Sequence, residues 1–169
     1  WLTARHVVEG CRQIALADTR GFIKHYVRSV KLHPRADVAL LETPGPSIPL
    51  KRGEPLFRQG QAGFHFGFPA GKPTAVDSRL LGRSIIRSQG YRFGQEPSLS
   101  WAEKRRVPER SGALGGLSGG PTLDDEGSYI GIAVAASHRR GRVESAPPRS
   151  ITYVLSLIHI SEPTRLSLI

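Results

Sequence analysis

The sequence predicts an all-β protein, a barrel or sandwich of short antiparallel strands. Three observations carry this reading. β-Branched and aromatic residues gather in short runs, Gly and Pro punctuate the stretches between them, and no segment keeps a helical period beyond a few turns. The first strand signal is "GFIKHYVRSVKL" (21–32), followed by the apolar run "DVALLE" (37–42). A Pro/Gly-rich connector, "TPGPSIPLKRGEP" (43–55), separates these from "GFHFGFP" (63–69), where Phe64, Phe66 and Phe68 recur at period two, as on one face of a strand. "AVDSRLLGRSIIRSQGYRF" (75–93) reads as one or two strands broken at Gly82, and a polar loop is expected from Gly94 to about Gly112. Beyond Ser118, "PTLDDEGSYIGIAVAAS" reads as a hairpin, with an Asp-Asp-Glu-Gly turn and a second strand from Tyr129 to Ala136. Internal repeats are not evident.

Composition narrows the class of function. At 169 residues, 38% hydrophobic and 22% charged, the chain has the make-up of a globular domain, single or two-lobed. No apolar run reaches the length of a membrane span, and no secretory-signal pattern opens the chain. Cys11 stands alone, which excludes an internal disulfide; the expectation is a small buried hydrophobe. The net charge is +10, and 19 of the 24 basic residues are arginine. They are scattered, with small clusters at Lys104-Arg105-Arg106 and Arg139-Arg140. A nucleic-acid face would be a dense basic stripe interleaved with aromatics, so scatter reads as solvated surface that draws acidic partners. His6, His25, His33, His65 and His138 show no ligand spacing, so neither metal nor cofactor is expected.

Both ends look unnatural. "LSLIHISEPTR" (155–165) resembles the in-frame translation of a sequencing-library adapter, so residues 155–169 are expected to be a non-native tail. Trp1 is not an initiator and the chain opens inside an apolar segment, as expected of a fragment of a longer gene.

Chemistry concentrates at "GALGGLSGGP" (112–121), where Ser118 sits among Gly115, Gly116, Gly119 and Gly120. A serine hydroxyl attacks only when a base takes its proton and donors receive the developing oxyanion. Glycines permit the close backbone approach that such donors need. The nucleophile elbow of α/β-hydrolases also carries G-x-S-x-G, but Gly119-Gly120-Pro121 starts a helix badly and only Asp124, Asp125 and His138 follow as partners. Upstream, His6 lies in "LTARHVV" and Asp37 heads the apolar run "DVALL", where a carboxylate is ordinarily avoided. Each alone reads as a core histidine or a strand-capping aspartate. Together with Ser118 they fall in the order His, Asp, Ser.

On these three motifs, over about residues 1–154, the chain resembles the trypsin-like serine peptidases. "LTARH" is similar to the family's L-T-A-x-H, "DVALL" to its D-[IV]-A-L-L, and "GLSGGP" to its G-x-S-G-G-P. The short interval of 31 positions from His6 to Asp37, together with "GFPAG", resembles the compact bacterial members, including the HtrA-type group. The resemblance implies two antiparallel β-barrels of the chymotrypsin type: residues 1 to about 60 from a first barrel left incomplete, and about 61–154 the second. It implies a serine endopeptidase with His6, Asp37 and Ser118 as triad and the Gly116 and Ser118 amides as oxyanion hole. It further implies a protein or peptide substrate and an extracytoplasmic location. Gly112 falls at the base of the specificity pocket, with Ala135 and Ala136 on its wall. The absence of an acidic residue there implies a small or medium apolar P1 side chain. Leu117 replaces the aspartate that pairs with a freed N-terminus in digestive members, Arg5 a usual small residue beside the histidine, and Val134 a serine that supports the triad aspartate. Two other readings stay open: a non-catalytic homologue that binds without cleaving, and a basic nucleic-acid-binding protein.

Overall fold

A computed structural model describes residues 1–45, 48–53, 56–87, 95–109, 112–138 and 150–156. Among the described residues the chain is all-β apart from one helical turn and a 3₁₀ turn. Strands β1 (Leu2–Thr3), β4 (Ser29–Leu32) and β5 (Ala39–Glu42) form a three-stranded sheet in the order β1-β5-β4, while β2 (Ala15–Ala17) pairs with β3 (Ile23–Tyr26). The helical turn α1 (Arg5–Val8) follows β1. Val8, Ala39 and Leu41 are buried together, with Ile14, Leu16 and Val27 against them, and this cluster joins the two small sheets. Among the described residues these first strands form open sheets rather than a closed barrel.

The later strands close into a barrel. β6 (Ala62–Gly67), β7 (Thr74–Arg87), β8 (Gln95–Val107), β9 (Pro121–Leu123), β10 (Tyr129–His138) and β11 (Ser150–Ser156) run round it in the order β10-β11-β8-β7-β6-β9. Trp101 fills its interior with Leu80, Leu99, Ile130 and Val154. Phe64 and Phe66 share a face of β6, but it is the opposite face, carrying Gly63 and His65, that is buried. Glycine at 63 makes room for the Trp101 ring, with which a Cβ there would collide. His65 packs edge-on to Trp101 with centroids 5.7 Å apart, and its ring nitrogens meet Thr122 Oγ1 at 2.9 Å and Ser78 Oγ at 2.6 Å. Burial pushes its pKa down to about 3, so it is a neutral core histidine.

Three expectations need amendment. The segment expected as a polar loop from Gly94 holds the 13-residue strand β8. Its inward polar residues are satisfied by distant partners, Ser98 by Ser84 and Glu96 by Asp37, which no local pattern reveals. Cys11 is exposed rather than buried. Strand β11 includes Leu155 and Ser156, and both are buried; residues 157–169 lie outside the described residues, as does the Arg139-Arg140 pair. The break expected at Gly82 is a register shift within the single strand β7, at φ +145°. The hairpin β9–β10 forms as expected, its turn held by Asp124 Oδ1 accepting from the amides of Glu126 and Ser128 at 3.0 and 2.7 Å.

Candidate active site

His6 stands on α1, immediately after β1, and Asp37 immediately before β5, which pairs with β1 through Leu2↔Leu40 and Thr3↔Ala39. The pairing brings the two side chains together. The His6 amide donates to Asp37 Oδ1 at 2.8 Å, and His6 Nδ1 meets Asp37 Oδ2 at 2.5 Å. The Asp37 side chain is wholly buried, whereas that of His6 is 45% exposed. The hydrogen bond to Asp37 raises the His6 pKa above its usual value of 6.5, outweighing partial desolvation. With Nδ1 committed to the carboxylate, proton transfer at this ring passes to Nε2.

Arg5, whose effect the sequence left open, is buried beside the pair. Its Nη1 donates to the His33 carbonyl at 2.8 Å and its Nη2 to Glu9 Oε1 at 2.7 Å. It therefore ties the turn bearing His6 to the loop that delivers Asp37. The Asp37 amide in turn donates to Glu96 Oε1, from β8, at 2.8 Å.

Ser118 lies on a loop of two tight turns. The Leu117 amide bonds the Leu114 carbonyl at 3.1 Å and the Gly120 amide bonds the Leu117 carbonyl at 2.9 Å. Gly119 N to Ala133 O, at 2.7 Å, and Ala133 N to Gly120 O, at 3.0 Å, fasten the loop to β10. The crowd of glycines has a concrete cause. Gly116 has φ +101°, and a Cβ there would strike the Phe68 carbonyl; Gly119 has φ +81°, and a Cβ there would strike Thr3 Oγ1. Gly119 thus lets the serine loop press directly on Thr3 and Ala4, just ahead of His6. Ala4, Val38 and Val134 lie in one buried cluster, so neighbours of all three candidate residues meet in the same core. Leu117 is itself core, packed with Val76, Leu114 and Ala133.

The Ser118 hydroxyl donates to the Val134 carbonyl at 3.5 Å, a weak contact. Among the described residues it makes no hydrogen bond to the His6 ring. The Gly116 and Ser118 amides take no backbone acceptor among the described residues. Gly112 lies earlier on the same loop, and its carbonyl accepts from Arg106 Nη1 at 3.0 Å. Arg106 is buried and grips both Glu103 oxygens at 2.7 Å. Burial opposes ionisation of Glu103, but Arg106 and the Ser150 amide hold its carboxyl below the usual range. Ala135 is half-buried and Ala136 exposed on β10, just past a bulge. Two contributors, Glu96 and Arg106, escaped the sequence reading of the site, and the role of a third was left open. Arg5 stood out there only by its place beside His6, whereas Glu96 and Arg106 carry no local signal.

Residues 1–132 match the family model for the trypsin-like peptidase domain. The chain belongs to that family. No curated protein matches it in sequence. Among solved structures, the HtrA-type protease AlgW with a decapeptide superposes with a TM-score of 0.69 at 21% identity, covering 94% of this chain and 45% of AlgW. The Rv3671c protease from M. tuberculosis in its active form gives 0.67 at 24% identity, covering 94% of this chain and 65% of that one. The MamO protease domain from Magnetospirillum magneticum gives 0.59 at 21% identity, covering 89% and 76%. The chain therefore spans under half of AlgW, and the likeness to all three is one of fold.

Proposed function

We propose that this domain is a serine endopeptidase in which His6, Asp37 and Ser118 act together. The observation that carries the reading is the His6–Asp37 pair, two hydrogen bonds on a wholly buried carboxylate, set beside a serine loop seated on Thr3 and Ala4. Ser118 Oγ leaves its 3.5 Å contact with Val134 O and turns to His6 Nε2. His6 takes the hydroxyl proton as Oγ bonds to the substrate carbonyl carbon, and the oxyanion is received by the Gly116 and Ser118 amides. The C–N bond then breaks as His6 returns the proton to the leaving amine. Water, deprotonated by His6, attacks the acyl carbonyl, and the C–Oγ bond breaks as His6 returns that proton to Ser118 Oγ. General-base and oxyanion contributions are each worth roughly 10²–10⁴ in rate. The competing reading is a non-catalytic homologue, favoured by the hydroxyl meeting Val134 O rather than the His6 ring; turnover by the parent that disappears in Ser118→Ala excludes it.

We extend the proposal to a specificity pocket with Gly112 at its base, and the contacts of that residue support the choice of side chain. Gly112 at the base offers a carbonyl already taken by Arg106, whose charge is balanced by Glu103. Neither is left to pair with a charged P1 side chain, so small and medium apolar residues fit best against Ala135 and Ala136. A peptide library incubated with the protein should be cut after Ala, Val or Leu, with no cutting by Ser118→Ala. Preferred cleavage after Lys or Arg would overturn the assignment of the pocket.

A further inference from the structure

Glu96 is a buried carboxylate, 4% exposed, in the barrel strand β8. Its cross-strand neighbour is Ile86, on β7, and Ile86 packs in the same cluster as Ala4, Val38 and Val134. Where Ile86 meets the first sheet by apolar contact, Glu96 meets it with a hydrogen bond, taking the Asp37 amide at 2.8 Å. A buried carboxylate is costly unless its oxygens are bonded, so simple packing would favour a second apolar residue here. The carboxylate instead gives the Asp37 backbone an acceptor from the opposite half of the molecule. The Asp37 amide is one of the partners of Glu96.

We propose that Glu96 is a positioning residue for the triad, fixing the backbone of Asp37 so that its carboxylate stays aimed at His6. Resting on the peptidase reading above, the idea extends it to a residue outside the three motifs. Asp37 has two His6 hydrogen bonds to keep aligned, and a shift of about 1 Å in such a group costs on the order of 100-fold in rate. Val134 stands where a supporting serine is usual in the family, and its side chain has no polar atom to offer. Glu96 supplies restraint from another direction, through the amide rather than the carboxylate.

Three variants separate reach from charge: Glu96→Gln keeps an acceptor oxygen at the same length, Glu96→Asp keeps charge but falls short by a methylene, and Glu96→Ala removes both. The expected result is parental kcat for Glu96→Gln, and kcat lowered roughly 10- to 100-fold with KM unchanged for Glu96→Asp and Glu96→Ala. Titration of the His6 ring by NMR gives a readout that needs no turnover. It should stay parental in Glu96→Gln and move toward 6.5 in the other two. If the parent neither cleaves peptides nor reacts at Ser118, the peptidase reading fails while the His6 titration still decides this one. Parental kcat and His6 titration in Glu96→Asp and Glu96→Ala would overturn the proposal. So would a Glu96→Gln variant as impaired as Glu96→Ala, or a Glu96→Asp variant that does not fold, since Glu96 would then be structural.

Discussion

Almost half of the His6 side chain faces solvent while the carboxylate it bonds has no exposure at all. That asymmetry sets the pH behaviour. The hydrogen bond to Asp37 favours the imidazolium, raising the His6 pKa above 6.5, yet the base must be neutral to take a proton. Turnover should therefore rise with pH through an apparent pKa above 6.5. The same shift has the opposite sign for folding: protonated His6 stabilises the fold fully below 6.5, and that contribution disappears as pH rises through the raised value. Replacing Asp37 with Asn should move the acidic limb of kcat/KM downward and reduce kcat roughly 10⁴-fold, as loss of tautomer control does in such triads. A parental limb at or below 6.5, or an Asp37→Asn variant with the parental profile, would contradict this.

At the scale of elements, the serine loop was legible because its demands are local. Gly116 and Gly119 hold positive φ and touch other backbone or side-chain atoms, and such positions advertise themselves as glycine. A graded test follows. Gly119→Ala must adopt left-handed backbone at about 1–2 kcal/mol and displace Thr3 Oγ1, whereas Gly115 has open space around it. Thermal melting should fall by roughly 2–8 °C for Gly119→Ala and stay close to parental for Gly115→Ala. Equal melting of both would refute the contact with Thr3. Strand β8 shows the opposite case. Glu96, Glu103 and Arg106 break its apolar alternation; Glu103 and Arg106 pair within the strand, but their further partners, the Ser150 amide and the Gly112 carbonyl, and the Asp37 amide that meets Glu96, lie on other elements or the serine loop. A polar stretch whose partners arrive only on folding reads as a loop.

For the molecule as a whole, the candidate site lies at a seam. Ala4 and Val38 come from the first sheet and its flanks, Ile86, Ile132, Val134 and Leu155 from the barrel, and they share one core. His6, Asp37 and the Ser118 loop gather around that core, and three short motifs far apart in sequence pointed to the fold class and to these residues as a candidate site. Their order, His, Asp, Ser, is what suggested the chemistry proposed for them. Arg5 and Glu96, which hold the arrangement in register, were not legible, because any chain solution that supplies a buried hydrogen bond would serve. Treatment of the folded protein with a fluorophosphonate, followed by peptide mapping, tests most directly whether these halves assemble one nucleophile. The expected result is a single adduct on Ser118, forming roughly 10²–10⁴ times more slowly in His6→Ala. A folded protein that never carries the adduct at Ser118, or one that acquires it at the same rate without His6, would contradict a histidine-activated serine.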